Sequence, residues 1–214
     1  MIINKARTAS FDIDPQNGFT PVCPDELPVT GGNDIAPYLN QQAQFARIRV
    51  VSKDAHTPHA IWRANDENPI FSPLEGDNVD IHWHMHCVPG TKGFELIEVL
   101  PKITEYDFTV YKGIEPDMHP YGACYHDLDD QLSTGVIEYL KCNDIDTVIC
   151  GGLATDYCVR LTVLQLLKAG FKVFVNIEAC RGIDGDTIAQ AITDMQNGGA
   201  VLVKNTNEFI LADI

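Results

Sequence analysis

The chain has no run of about 18 consecutive apolar residues, which excludes a helix long enough to cross a membrane. Its first ten residues, MIINKARTAS, lack the apolar stretch of a secretory signal, and a frayed leader ahead of the first strand is expected there. Basic residues are few: 15 Lys and Arg stand against 30 Asp and Glu, a formal net charge of −15. That balance argues against nucleic acid and anionic membranes as partners. No two cysteines stand at C-x-x-C spacing among the seven, Cys23, Cys87, Cys124, Cys142, Cys150, Cys158 and Cys180. The number is odd, and without a signal the expectation is a cytoplasmic location with reduced thiols, most of them buried and inert. Internal repeats, low-complexity tracts and linkers are also missing. A chain of 214 residues with 45% hydrophobic content therefore suits one domain, residues 1–214, with a sizeable core.

What is present alternates. Apolar strand-like segments fall at 8–14, 47–54, 108–113, 147–152, 172–179 and 200–204, and helical patterns at 33–46, 129–142, 156–169 and 184–198. Strand–helix alternation implies crossover units and a parallel sheet, an α/β fold with helices on both faces. Residues 55–100 break the rhythm. The segment is rich in His, Trp, Pro and Asn and too long for an ordinary connection, so it reads as a functional insertion. In open parallel sheets ligands bind beyond the carboxyl ends of the strands. The polar residues at those ends are Asp14, Asp54 with His56, Lys112, Cys158 after a turn, and Glu178.

Cys158 lies in GGLATDYCVRLTVLQLLKAG, where Leu161, Leu164, Leu167 and Lys168 have helical spacing and Gly170 is a fitting stop. With Thr155 or Asp156 as N-cap, Cys158 falls in the first turn. Unpaired N–H groups there favour a thiolate and lower a thiol pKa, and they also stabilise an oxyanion. A small apolar residue packed under the sheet is the alternative, and placement alone does not decide. A nucleophile needs a base and a countercharge. Asp14 in FDIDPQNGF is a candidate base, with a turn-forming role before Pro15 as its rival, and Asp12 shares its face if the strand is regular. Lys112 in VYKG is either a countercharge or a solvated strand-end lysine. A strand order 3-2-1-4 brings Lys112, Asp14 and Cys158 together.

Asp54 and His56 stand two apart at a strand end and point the same way, able to bind one divalent cation. His59 follows, and HWHMHC adds His82, His84 and His86. Six of the seven histidines fall between residues 56 and 119, so metal binding competes with simple surface solvation. An Asp with two or three imidazoles suits zinc, iron or manganese with water positions left open.

DIDPQNGF, KDAH, HWHMHCVPGTKGFEL, VYKG, GGLATDYCV and EACRGI, in this order from about residue 9 to residue 211, resemble the nicotinamidase/pyrazinamidase enzymes of the isochorismatase-like cysteine hydrolases. The resemblance implies a Rossmann-like three-layer sandwich with six mainly parallel strands. It implies Cys158 as nucleophile, Asp14 as proton acceptor and donor, and Lys112 as electrostatic support. It implies the N–H groups of Ala154 and Cys158 as oxyanion hole and a cis Leu153–Ala154 peptide. Asp54, His56 and His86 match metal ligands, zinc first among the candidate metals. His59 matches a fourth ligand of some members at a spacing one residue short, and His84 is an extra or competing donor. Phe19, Trp83, Tyr121 and Tyr157 match the walls of an aromatic-substrate pocket. The implied reaction is nicotinamide to nicotinate and ammonia through a thioester, with pyrazinamide also accepted. The partner is then a small pyridine carboxamide, and a homo-oligomer is left open. Pro15, HPYGAC after Lys112, and His84-Met85 depart from the family pattern and bear on substrate preference. Amidohydrolysis of a ureido or carbamoyl substrate, isochorismatase-type vinyl-ether hydrolysis, and a non-catalytic binding module stand as alternatives.

Overall fold

In the computed structural model, which describes residues 1–212, six parallel strands form one sheet flanked by helices. In chain order the elements are β1 (Ile2–Ile3), β2 (Thr8–Ile13), α1 (Ala36–Ala43), β3 (Ile48–Asp54), β4 (Phe108–Lys112), α2 (Val136–Cys142), β5 (Thr147–Leu153), α3 (Arg160–Lys168), β6 (Lys172–Arg181), α4 (Gly185–Asn197), β7 (Val201–Val203) and β8 (Ile210–Leu211). The sheet order is β4-β3-β2-β5-β6-β7, with every pair parallel. Its first four strands in space are the third, second, first and fourth of the sequence reading, so the order 3-2-1-4 holds.

Alternation along the strands sorts side chains onto two faces. Ala9, Phe11, Ile13, Val50, Val148, Cys150, Val173 and Val175 pack with Val136 and Leu140 of α2, Val163 and Leu166 of α3, and Met195 of α4. Leu39 of α1 packs instead with Ile35, Leu153 and Ala179. That layer also carries a polar strip. Gln42 of α1 donates to Ser10 Oγ at 3.2 Å and accepts from Asn176 Nδ2 at 3.2 Å, so both ends of the Gln42 amide are satisfied.

The structure departs from the sequence reading at three places. β1 pairs with β8, and Ile3, 1% exposed, packs with Ile149, Phe174, Val203 and Phe209. The N-terminal segment is therefore tied down, not frayed. Residues 129–135 do not join α2: the Asp127 carboxylate accepts from the N–H groups of Asp129, Gln131 and Leu132, which holds turns where a helix was expected. Finally, residues Thr155–Val159 form a π-turn, and α3 starts only at Arg160.

Candidate active site and metal centre

β2 ends at Ile13, and the next residue, Asp14, has φ +45°. That kink removes Asp14 from the regular alternation, and the two acids part company. Asp12 accepts from Arg49 Nε and from the Tyr106 hydroxyl, each at 2.9 Å. Asp14 instead accepts from Ser52 Oγ at 2.6 Å, and its Oδ2 lies 3.1 Å from Lys112 Nζ. The close packing of β2 on β5 at this point depends on Gly152: a Cβ there would come within 1.9 Å of the Ile13 carbonyl oxygen.

Lys112 closes β4 opposite Asp54, its register partner in β3. The ammonium is fully buried; it donates to Asp54 Oδ1 and to the Pro120 carbonyl at 3.2 Å, and lies 3.6 Å from Cys158 Sγ. Burial works against its charge, but Asp14 and Asp54 outweigh it and raise the Lys112 pKa well above the usual lysine value. Burial likewise opposes charge on Asp54, yet the Lys112 ammonium holds that carboxyl well below the usual range. At Asp14 burial wins and pushes the pKa up to about 6, with Lys112 opposing and Asp54 adding to the rise.

Cys158 lies at the end of this chain of charges. One oxygen of Asp14, one of Asp54 and Cys158 Sγ all lie within 4.8 Å of one another. The helix start does not lower its pKa: burial pushes the thiol well above its ordinary value, and Lys112 only partly offsets that. Neither Thr155 nor Asp156 caps the turn by its side chain. Asp156 accepts from Ile183 N–H, Asp184 N–H and Thr187 Oγ1, which ties the turn to the start of α4. The Ala154 carbonyl accepts from Tyr157 N–H and, in the π-type bond, from Val159 N–H at 3.1 Å. The Cys158 N–H, which an α-helix would aim at that carbonyl, is passed over. The Leu153–Ala154 peptide is cis, as the resemblance implies.

Beside this cluster stand imidazoles. His56 Nδ1–H donates to the Gly113 carbonyl at 3.0 Å and His86 Nδ1–H to the His84 carbonyl at 2.6 Å. Both rings therefore present an Nε2 lone pair, 3.3 Å and 3.6 Å from Asp54 Oδ2. A tetrahedral metal with bonds of about 2.1 Å separates its ligand atoms by about 3.4 Å, so these spacings fit one cation. His56 Nε2 is buried with no hydrogen-bond partner among the described residues, and burial lowers the ring's pKa, which keeps it neutral. Gly113 (φ +68°) permits the approach, since a Cβ would lie 2.4 Å from His56 Cε1. The alternative group of Asp14, Asp54 and Cys158 is a poor cation site, because the Lys112 ammonium already stands among its members.

His59 and His84 are exposed and do not join the cluster. His84 enters through its backbone carbonyl alone, and His82 is buried against Ser72, 3.1 Å from its hydroxyl. Glu178 lies inside β6, not past its end. Phe19, Trp83, Tyr121 and Tyr157, with Leu27, Ile183 and Ala154, line a narrow cleft that also reaches Asp54, His86, His119 and Cys158. Trp83 Nε1 donates to the Tyr121 hydroxyl at 3.1 Å, which donates to Asp80 at 2.6 Å, so the wall is hydrogen-bonded in place.

Sequence reasoning passed over Ser52, Gln16, His119 and Trp62. Ser52 stands two residues before Asp54 on one strand, and that spacing was a usable signal. Gln16 bonds the Asp54 backbone in both directions, at 2.9 Å and 2.7 Å. Trp62, fully buried, sets its ring edge against His56 and His119.

The fold and the site together define an open-sheet α/β protein whose polar residues gather at the carboxyl ends of the central strands. The isochorismatase domain model matches residues 8–206, and the chain belongs to the isochorismatase family. A nicotinamidase of Acinetobacter baylyi is 33% identical over 199 residues, covering 91% of each chain. A solved Acinetobacter baumanii nicotinamidase/pyrazinamidase superposes with a TM-score of 0.86 at 34% identity, over 95% of this chain and 98% of that one. The Pyrococcus horikoshii pyrazinamidase, solved in complex with zinc, gives 0.74 at 28% identity, over 92% and 98%.

Proposed function

We propose that this protein is a metal-dependent cysteine amidohydrolase that converts nicotinamide to nicotinate and ammonia, and that it also accepts pyrazinamide. The observation that carries the reading is the convergence of Asp14, Lys112 and Cys158 on one buried point at the floor of an aromatic cleft. The relatives named above support the substrate class. The chain is read as one hydrolase domain, with residues 55–100 as its metal-site insertion.

In this reading Cys158 rests as a neutral thiol, and Asp14 takes its proton as Sγ attacks the carboxamide carbon. The oxyanion is received by the N–H groups of Ala154 and Cys158. Asp14 returns the proton to the amine nitrogen, the C–N bond breaks, and ammonia leaves. Asp14 then deprotonates the water that attacks the thioester carbonyl, and the departing sulfur regains a proton. Lys112 stays charged throughout and favours the ionised form of Asp14. Phe19, Trp83, Tyr121 and Tyr157 wall the ring. Asp54, His56 and His86 would hold a divalent cation, zinc in the first instance, which would supply Lewis acidity beside the aromatic cleft.

Ammonia release from nicotinamide, measured with and without a chelator, tests substrate class and metal together. Activity that falls on chelation and returns with added zinc is expected. Full activity in metal-free protein would favour the ureido or carbamoyl reading, and inactivity on every amide offered would favour a binding module.

A second expectation concerns pH. Asp14 works as a base only when ionised, and its pKa stands at about 6. Activity is therefore present above that value and lost as pH falls through it, with kcat/KM dropping about tenfold per pH unit on the acid side. A profile flat from pH 7 to pH 5 would remove Asp14 from the role.

A further inference from the structure

We propose that His119 is a fourth protein ligand of the metal site, completing an Asp54, His56, His86, His119 set; this rests on the metal-dependent reading above. His119 follows β4 in the loop that leads to Tyr121, where the sequence departs from the family pattern. The ring is 4% exposed, and neither of its nitrogens has a hydrogen-bond partner among the described residues. A buried imidazole with both nitrogens unpaired is costly, since its N–H and its lone pair each lose water without replacement. A metal removes half of that cost by taking the lone pair.

The placement agrees. One ring nitrogen each from His56, His86 and His119 lies within 4.8 Å of the other two. The ring centroids are 4.6 Å apart for His56 and His86, 5.0 Å for His56 and His119, and 5.9 Å for His86 and His119. Three imidazoles on a tetrahedral zinc put their centroids about 5.2 Å apart, given bonds of about 2.1 Å. The observed spacings scatter around that value. The ring is also held: it is near-parallel to Trp83, at 12°, and meets the edges of Trp62 and Tyr121. A side chain packed on several sides with its nitrogens unpaired is a preorganised donor. It stands where His59 and His84, both exposed, do not reach.

The decisive variant is His119→Phe, which keeps a ring between His56 and Trp83 and removes both nitrogens. Zinc affinity is measured by competition with a chromophoric chelator, with His59→Ala and His84→Ala as controls. His119→Phe is expected to weaken zinc at least about tenfold, while the controls stay within about twofold of wild type. Equal affinity in His119→Phe and wild type overturns the assignment and leaves the proposed function standing. A wild-type protein that binds no zinc yet hydrolyses nicotinamide overturns the metal reading and this assignment with it. Wild-type protein loaded with cadmium-113 gives a count independent of any variant's folding. Three imidazoles coupled to the metal by nitrogen-15 NMR are expected, and two would overturn the proposal.

Discussion

Cys158→Ala is expected to lower ammonia release from nicotinamide by at least about 10⁴-fold while leaving the fold in place, because no other group near the cleft can form the thioester. Sγ lies with Lys112 Nζ and the Asp14 carboxylate at the cleft floor, and of the seven cysteines only this one lines the cleft. The stability cost is small, about 1 kcal/mol, since one sulfur is lost from a site that already borders a cavity. Cys158→Ser is expected to be nearly as inactive. A serine hydroxyl gives up its proton far less readily than a thiol, and the carboxamide it must attack is a poorer electrophile than the thioester that water meets. The measurement is steady-state ammonia release beside a denaturant midpoint for each variant. Activity of Cys158→Ala within about tenfold of wild type would remove covalent catalysis from the account.

Lys112→Met is expected to cost both stability and turnover. The fully buried ammonium is shared by Asp14 and Asp54, and its loss leaves two carboxylates near one another without a countercharge. Breaking a buried ion pair from one side costs about 3–5 kcal/mol. The sign with pH distinguishes this from a plain packing defect. Without Lys112 the folded-state pKa values of both acids rise: Asp14, already above its unfolded value, moves further up, and Asp54 loses the main cause that holds it low. The penalty is then full at pH 7, where the acids must be charged, and shrinks as the pH falls and they take up protons. Unfolding by denaturant at pH 7 and pH 5, with chelator present, reads the difference. A loss equal at both values would mean that Lys112 serves as filler, not as countercharge.

The sheet was largely legible because β2, β3, β5 and β6 are apolar and helix-covered, and such segments announce themselves by composition. The order 3-2-1-4 entered as a supposition that would bring Asp14, Lys112 and Cys158 together at the strand ends, and the sheet has that order. What stayed hidden depends on tertiary placement. The helix start at Cys158 suggested a lowered thiol pKa because local geometry was all that could be read; burial, a property of the whole fold, reverses it. The spacing of Asp12 and Asp14 suggested a shared face until a φ of +45° at Asp14 separated them. His59 and His84 looked like donors from their nearness to His56 and His86 in sequence. The ring that reaches those two in space is His119, more than 30 residues beyond His86 in the chain, and only its membership in the histidine cluster hinted at it.

The raised pKa of Cys158 also bears on durability. Peroxide and soft electrophiles attack thiolates, not thiols, and reach exposed sulfur first. A cysteine hydrolase that stored its nucleophile as a thiolate would lose active sites to every passing oxidant. In the proposed mechanism Cys158, a residue 6% exposed, keeps its proton at rest, and ionisation is deferred until a carbonyl carbon stands across from Asp14. Cys142 is exposed and meets such reagents first, so oxidation at the surface is expected before any at the proposed nucleophile.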